Sequence, residues 1–149
     1  MKFIVDRMLG RLAKWLRLLG YDTVYYTGSS DKELVFESIR QQRILLTRDT
    51  GISKKKPIKI IVIKSGNYFE QIEQLKSELN LKIDKPEIFT RCIECNTPLD
   101  KIEKDKVKDK VPLFIFQTHN DFFYCLNCKK IYWQGSHIKL AQELIKKWQ

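Results

Sequence analysis

The chain has 149 residues, with 28 Lys and Arg against 18 Asp and Glu and a formal charge of +10 at pH 7, a balance that favours an anionic partner such as nucleic acid or an acidic surface. Such a length supports one ordinary core and a small appended unit whose own core would need a metal staple. The opening stretch MKFIVDRMLGRLAKWLRLLG is interrupted by Asp6, Arg7, Arg11, Lys14 and Arg17, which excludes a signal h-region or membrane span there and points to a cytoplasmic protein with reduced thiols.

Residues 2–6 (KFIVD) are a short apolar run ending in an acid, and a helical period follows from Arg7 to Leu19, stopped by Gly20. At about 100° per residue, Met8, Leu9, Leu12, Trp15, Leu16 and Leu19 share the core side of that helix. Arg7, Arg11, Lys14 and Arg17 occupy a neighbouring arc and are candidate RNA contacts, although a charge stripe is as often a solvated face. Location favours binding, because Arg7 and Arg11 lie at the helix end nearest Asp6.

A second strand is expected at residues 22–26 (DTVYY); Gly28, Ser29 and Ser30 punctuate, and Asp31 is placed to N-cap a helix running to about Gln42. Residues 43–47 (RILLT) predict a third strand ending at Arg48 and Asp49. After a loop carrying Lys54, Lys55 and Lys56, residues 58–63 (IKIIVI) predict a fourth, and residues 67–79 a helix. Continuous apolar strands alternating with amphipathic helices imply a parallel sheet covered on both faces, an α/β/α sandwich. Residues 82–91, containing Pro86, read as a linker dividing residues 1–84 from residues 85–149. Beyond it come short aromatic segments expected as strands (LFIF, FFYC, KIYW), a charged insert (DKIEKDKVKDK) and a terminal helix from about Ser136.

Two Cys-x-x-Cys pairs, Cys92/Cys95 and Cys125/Cys128, are the only cysteines, with 29 residues between the pairs. Such turns each aim two sulfurs at one centre, and two turns complete the tetrahedron that Zn²⁺ requires at about 2.3 Å. Two disulfides or a redox pair are the competing readings, but a redox enzyme needs one such pair, not two. A two-hairpin zinc ribbon with an elongated insert accommodates the spacing.

In a parallel sheet ligands gather outside the carboxyl ends of the strands, where Asp6 and Asp49 fall and where Asp31 opens a helix. Clustered carboxylates repel unless they share a cation, and oxygen donors suit Mg²⁺ or Mn²⁺. Taken singly, each aspartate also reads as a cap or turn former; the joint placement favours a metal site. Asp22 begins its strand at the opposite edge and reads as structural. Neither a Gly-rich phosphate cradle nor a Ser/His/Asp arrangement is present.

The segments FIVDRMLGRLAKWLRLLGYDT, RILLTRD, RCIECNTPL and CLNCKKIYWQGSH, with Asp31 opening a helix between the first two, resemble the Mut-seven C-terminal RNase family. The resemblance covers nearly the whole chain. It implies a PIN-like nuclease fold fused to a zinc ribbon, with Asp6, Asp31 and Asp49 holding a divalent metal that directs hydrolysis of RNA. It further implies Arg11 and Arg48 as phosphate contacts, Cys92, Cys95, Cys125 and Cys128 as zinc ligands, and a structural role for Gly135, Ser136 and His137. One departure stands out: broader PIN nucleases often carry a fourth acid soon after the third-strand aspartate, where this chain has Thr50, Gly51, Ile52 and Ser53. A non-catalytic RNA-binding or ribosome-associated protein is the alternative, with ribbon aromatics such as Phe114, Phe122, Tyr124 and Trp133 stacking on bases. A toxin role is less consistent with the appended ribbon. Oligomeric state is not legible.

Overall fold

A computed structural model describes residues 1–52 and 56–148; the expected basic residues Lys54 and Lys55 lie outside them, as do the side chains of Ser136 and His137. The first half runs β1 (Lys2–Val5), a 3-10 turn (Arg7–Leu9), α1 (Gly10–Leu18), β2 (Asp22–Tyr25), α2 (Asp31–Arg40), β3 (Ile44–Thr47), β4 (Ile60–Val62) and α3 (Tyr68–Leu79). All four strands are parallel, in the order β2-β1-β3-β4. Phe3 stands opposite Thr23 on one side and Ile44 on the other, which sets the register.

The three-layer arrangement follows from strand alternation. Phe3, Val5 and Leu46 point to one face, where they are buried with Leu12 and Leu16 of α1 and Ile72 and Leu75 of α3. Ile4 and Leu45 point to the other, against Leu34 and Val35 of α2. Both faces are therefore dry, and this is why the strands are apolar at consecutive positions rather than at every second one. Each buried Leu, Ile or Phe contributes roughly 1.5–3 kcal/mol relative to exposure.

The second half contains β5 (Asp100–Ile102), a 3-10 turn (Lys104–Val107), α4 (Leu113–Thr118), β6 (Phe122–Tyr124), β7 (Ile131–Trp133) and α5 (Ser136–Trp148). The antiparallel sheet β5-β6-β7 closes a small core in which Phe122 is buried with Val107 and Val111. Two expectations are corrected. The LFIF segment is helical, entered through Pro112 and closed by a hydrogen bond from the Thr118 hydroxyl to the Phe114 carbonyl (2.7 Å). The charged insert begins as strand β5, pairing with β6.

The segment read as a linker is packed. Its 3-10 turn (Lys85–Glu87) lies against the end of α1, and the Phe89 amide donates to the Leu18 carbonyl at 2.8 Å. Gly20 at φ +95° makes that approach possible: a Cβ there would meet the Glu87 carbonyl oxygen at 2.4 Å. The Phe89 ring meets Tyr132 and Phe123 edge-on, at centroid distances of 5.3 and 6.2 Å. Through Phe89, Ile93, Leu99, Phe123, Tyr132 and Ala141 the ribbon and α5 join the same hydrophobic core as α1 and α3.

Candidate active site and zinc centre

After β1 the chain turns back to β2 on one side, and β3 flanks β1 on the other. The crevice between β1 and β3 is thus the switch point of the sheet, where carboxyl-end loops diverge. Asp6 sits in it, 8% exposed. Its amide donates to the Leu46 carbonyl at 3.1 Å. One carboxylate oxygen accepts from the Met8 amide (2.9 Å), and the other from the Arg48 amide (3.1 Å) and the Thr47 hydroxyl. Thr47 also accepts from the Asp49 amide at 3.0 Å, so this buried hydroxyl ties the ends of β1 and β3 together. Its role was not visible in the sequence, where it was one β-branched residue of a strand.

Asp49 turns the loop after β3, with its Oδ1 accepting from the Gly51 amide at 2.7 Å. Asp31 departs from its expected local role. The cap of α2 is Ser30, whose hydroxyl accepts from the Glu33 amide at 3.2 Å, and Asp31 is the first helical residue. The Asp31 carboxyl is consequently available to its neighbours. A hydrogen bond with the Asp49 carboxylate, then burial and the charges of Asp49 and Asp6, push it above the usual carboxylate range, and Arg7 opposes them. Asp6, Asp31 and Asp49 thus stand at one edge of the sheet, as a looser group than the cysteines: among the described residues, the four sulfurs are the set of three or more ligating side chains whose donor atoms all lie within 4.8 Å of one another.

The candidate cationic residues, Arg7 to Arg17 and Arg48, separate into three kinds. Arg7 and Arg11 are exposed beside this edge, and Arg48 is half-buried there; none of the three forms an ion pair among the described residues. Lys14 is exposed and pairs with Glu94 of the ribbon at 3.3 Å. Arg17 is not on the cationic surface at all: it is 6% exposed. Its Nε donates to the Thr23 carbonyl (2.9 Å) and its Nη1 to the carbonyls of Ile93 (3.0 Å) and Glu94 (2.9 Å). Burial lowers the Arg17 pKa against the opposing pull of the Cys95 and Cys92 sulfurs, yet an arginine stays protonated throughout the physiological range. Asp22, at the opposite edge of the sheet, is structural, accepting from Arg43 and Asn96, both at 2.7 Å.

The two Cys-x-x-Cys turns are built alike. In each, a residue just past the second cysteine takes positive φ, Asn96 at 74° and Lys129 at 59°. The first cysteine of each turn accepts through its carbonyl from that residue's amide, at 2.9 and 2.8 Å. The cysteines are free of disulfides. Sulfur separations of 3.9 Å (Cys92–Cys128) and 3.4 Å (Cys95–Cys125) bracket the edge of about 3.8 Å implied by a tetrahedron of 2.3 Å Zn–S bonds. The Cys95 thiol donates to the Thr97 hydroxyl oxygen (3.2 Å), and the Tyr132 hydroxyl lies 2.9 Å from Cys92. Without a cation the four thiols cannot ionise together. Burial resists ionisation of Cys95, but hydrogen bonds led by Thr97 bring it to about 6, while its bond to Cys95 and then burial push Cys128 up to about 12. A divalent ion resolves that conflict, so the donor set fits zinc.

Most ribbon aromatics serve the core: Phe122 is fully buried, and Phe123 and Tyr132 pack on Phe89. His119 bonds the Thr118 hydroxyl and the Gln134 carbonyl, a structural role. Among the described residues no helix is long and apolar enough to cross a membrane. The family model described as the Mut7-C RNAse domain matches residues 1–145. No curated protein and no solved structure matches the chain.

Proposed function

The chain belongs to the Mut7-C RNAse domain family, and from that membership we propose that it is a metal-dependent ribonuclease hydrolysing phosphodiester bonds in RNA, with Asp6, Asp31 and Asp49 as its catalytic carboxylates. What supports this reading is the family match together with Asp6, fixed by the Met8 and Arg48 amides at the switch point of the sheet, with Asp49 in the loop after β3 and Asp31 at the start of α2 on the same edge. Hard oxygen donors kept together against their own repulsion fit Mg²⁺ or Mn²⁺. Such a cation, when bound, acidifies water and neutralises charge on phosphoryl oxygens.

The protein's own groups prepare the site. Thr47 and the Arg48 amide hold Asp6 in one orientation, and the Gly51 amide holds Asp49. Arg7, Arg11 and Arg48 supply positive charge for the RNA backbone, an attraction that weakens with salt. The four-thiolate centre, being closed, has no position for water; its part is to fold the ribbon and dock it on α1.

A second reading, a non-catalytic RNA-binding or ribosome-associated protein, is favoured by the looseness of the aspartate group beside the cysteine site. The two separate in one assay: cleavage of end-labelled single-stranded RNA as Mn²⁺ is titrated into divalent-free buffer. Expected is metal-dependent cleavage that falls at least about 100-fold in Asp49→Asn, the size of effect produced by removing one charge-stabilising group. Absence of cleavage by the unaltered protein, with RNA affinity undiminished in Asp6→Asn and Asp49→Asn, establishes the binding reading instead.

A further inference from the structure

The edge that carries the aspartates also carries an aromatic column that neither the fold nor the proposed hydrolysis requires. Trp15 of α1 and Tyr68, the first residue of α3, stack face to face with centroids 4.7 Å apart and planes 1° from parallel. The Arg11 guanidinium lies over the same Tyr68 ring, 5.0 Å from its centroid. Arg11 and Trp15, one helical turn apart on α1, thus both engage the Tyr68 ring.

The two lower layers are explained by packing, since Trp15 and Tyr68 both border the main core. The top layer is not. Arg11 is exposed and forms no ion pair among the described residues, so a planar cation is held over the Tyr68 ring at a solvent-exposed position. The column is adjacent to the acids along the chain and in space. Arg48, between Thr47 and Asp49, reaches toward the β4–α3 loop that delivers Tyr68: a Cβ built on Gly66 would lie 3.3 Å from its Nη1. Arg48 therefore reaches from the aspartate-bearing end of β3 toward the loop that precedes Tyr68.

We propose that the Arg11 guanidinium, held over the Tyr68 ring that stacks on Trp15, is a stacking platform for one unpaired nucleobase of single-stranded RNA, with Arg48 on the neighbouring phosphate. This rests on the reading of the chain as an RNA-acting protein and adds a substrate class to it. A base in a duplex is stacked on its neighbours and cannot lie on a guanidinium, so single strands are selected over duplexes. Every base offers a π-face, so the platform tolerates sequence. Arginine is required rather than lysine, because the ammonium is a point charge without a face.

The test is the affinity of labelled oligouridine, by fluorescence anisotropy, for the full chain carrying Asp49→Asn so that no strand is cut. Adding Arg11→Lys keeps the charge and removes the plane. The expected result is a loss of at least about fivefold on oligouridine, the lower end of what one base–aromatic stack contributes, with the salt dependence unchanged because the charge count is unchanged. A strand of the same length with abasic sugars, offered to the protein with Arg11 in place, should bind as weakly as oligouridine binds the Arg11→Lys form, and Arg11→Lys should cause no further loss on it. Equal oligouridine affinity with Arg11 or Lys, an equal loss on abasic strands, or duplex RNA bound as tightly as single strands would each overturn the platform. None of these outcomes depends on cleavage, so failure of the platform and failure of the nuclease reading are told apart.

Discussion

Arg17→Met asks whether α1 and the first zinc knuckle are one structure. The methionine keeps most of the apolar packing of the arginine stem. It removes the bond from Nε to the Thr23 carbonyl and both bonds from Nη1 to the Ile93 and Glu94 carbonyls. A hydrogen bond from a charged donor contributes about 1.5–3 kcal/mol, and a buried carbonyl left without a partner costs about 1–3 kcal/mol. Three bonds from one guanidinium are not independent, so the expected loss is about 3–5 kcal/mol rather than the full sum. At about 2–4 °C per kcal/mol for a chain of this size, the Tm falls by about 10 °C. Thermal unfolding of zinc-loaded protein, followed by circular dichroism, measures it, and hydrogen exchange locates it. The amide of Thr23 and those of residues 92–97 should lose protection together, while β3 and β4 keep theirs. A loss below about 1 kcal/mol, or unchanged protection in the knuckle, would refute the argument and leave Arg17 as a cation that is merely covered.

Two further outcomes follow. The Asp31 carboxyl is raised in the fold, so between its unfolded and its folded pKa the native state binds more protons than the unfolded one, and stability falls as pH rises through that window. Asp31→Asn should therefore raise the Tm at neutral pH in divalent-free buffer, with the gain vanishing on acidification; an equal gain at every pH would point to a cause other than repulsion. Gly20→Ala forces a side chain into positive φ and against the Glu87 carbonyl, and should lower stability by at least about 2 kcal/mol in urea titration, combining backbone strain with a clash that neither side can yield cheaply. A neutral result would mean that the turn of residues 85–87 can lift away from α1.

The order of strands and helices in residues 1–84 was readable because each strand is apolar at consecutive positions and each helix carries its own period and stop. The place of the three aspartates at the carboxyl edge was readable too, since a strand followed by an acid defines that edge without any contact being known. What stayed hidden was long-range. Arg17 sits in a basic stripe that a helical wheel draws as solvent-facing; its carbonyl partners at Ile93 and Glu94 lie 76 and 77 residues away, beyond any local pattern. The LFIF segment misleads for the opposite reason. Four apolar residues cannot distinguish a strand from one helical turn, and Pro112 before them starts the helix instead of breaking it. Residues 82–91 look like a linker because of Pro86 and their charges, whereas Phe89 is a core residue shared by both halves of the chain. Asp31 was legible as a residue of the carboxyl edge but not as one released from capping, which depended on Ser30 taking that task.

The outer side of β2 has a bearing on how the protein is made. The N–H and C=O of Thr23 face away from β1, and they are satisfied by the Asn96 side chain (2.9 Å) and by Arg17. Asn96 belongs to the knuckle, so an edge strand of the nuclease layer is sealed by a turn that zinc organises. During synthesis the strands and helices of the first half leave the ribosome before residue 96 does. Until the knuckle forms, β2 is an open edge of the kind on which other chains pair. With zinc as the proposed occupant of the four cysteines, the expected outcome is that cells short of the metal accumulate the protein as aggregate rather than as a soluble chain lacking only its ribbon, which fractionation of zinc-starved cells would measure.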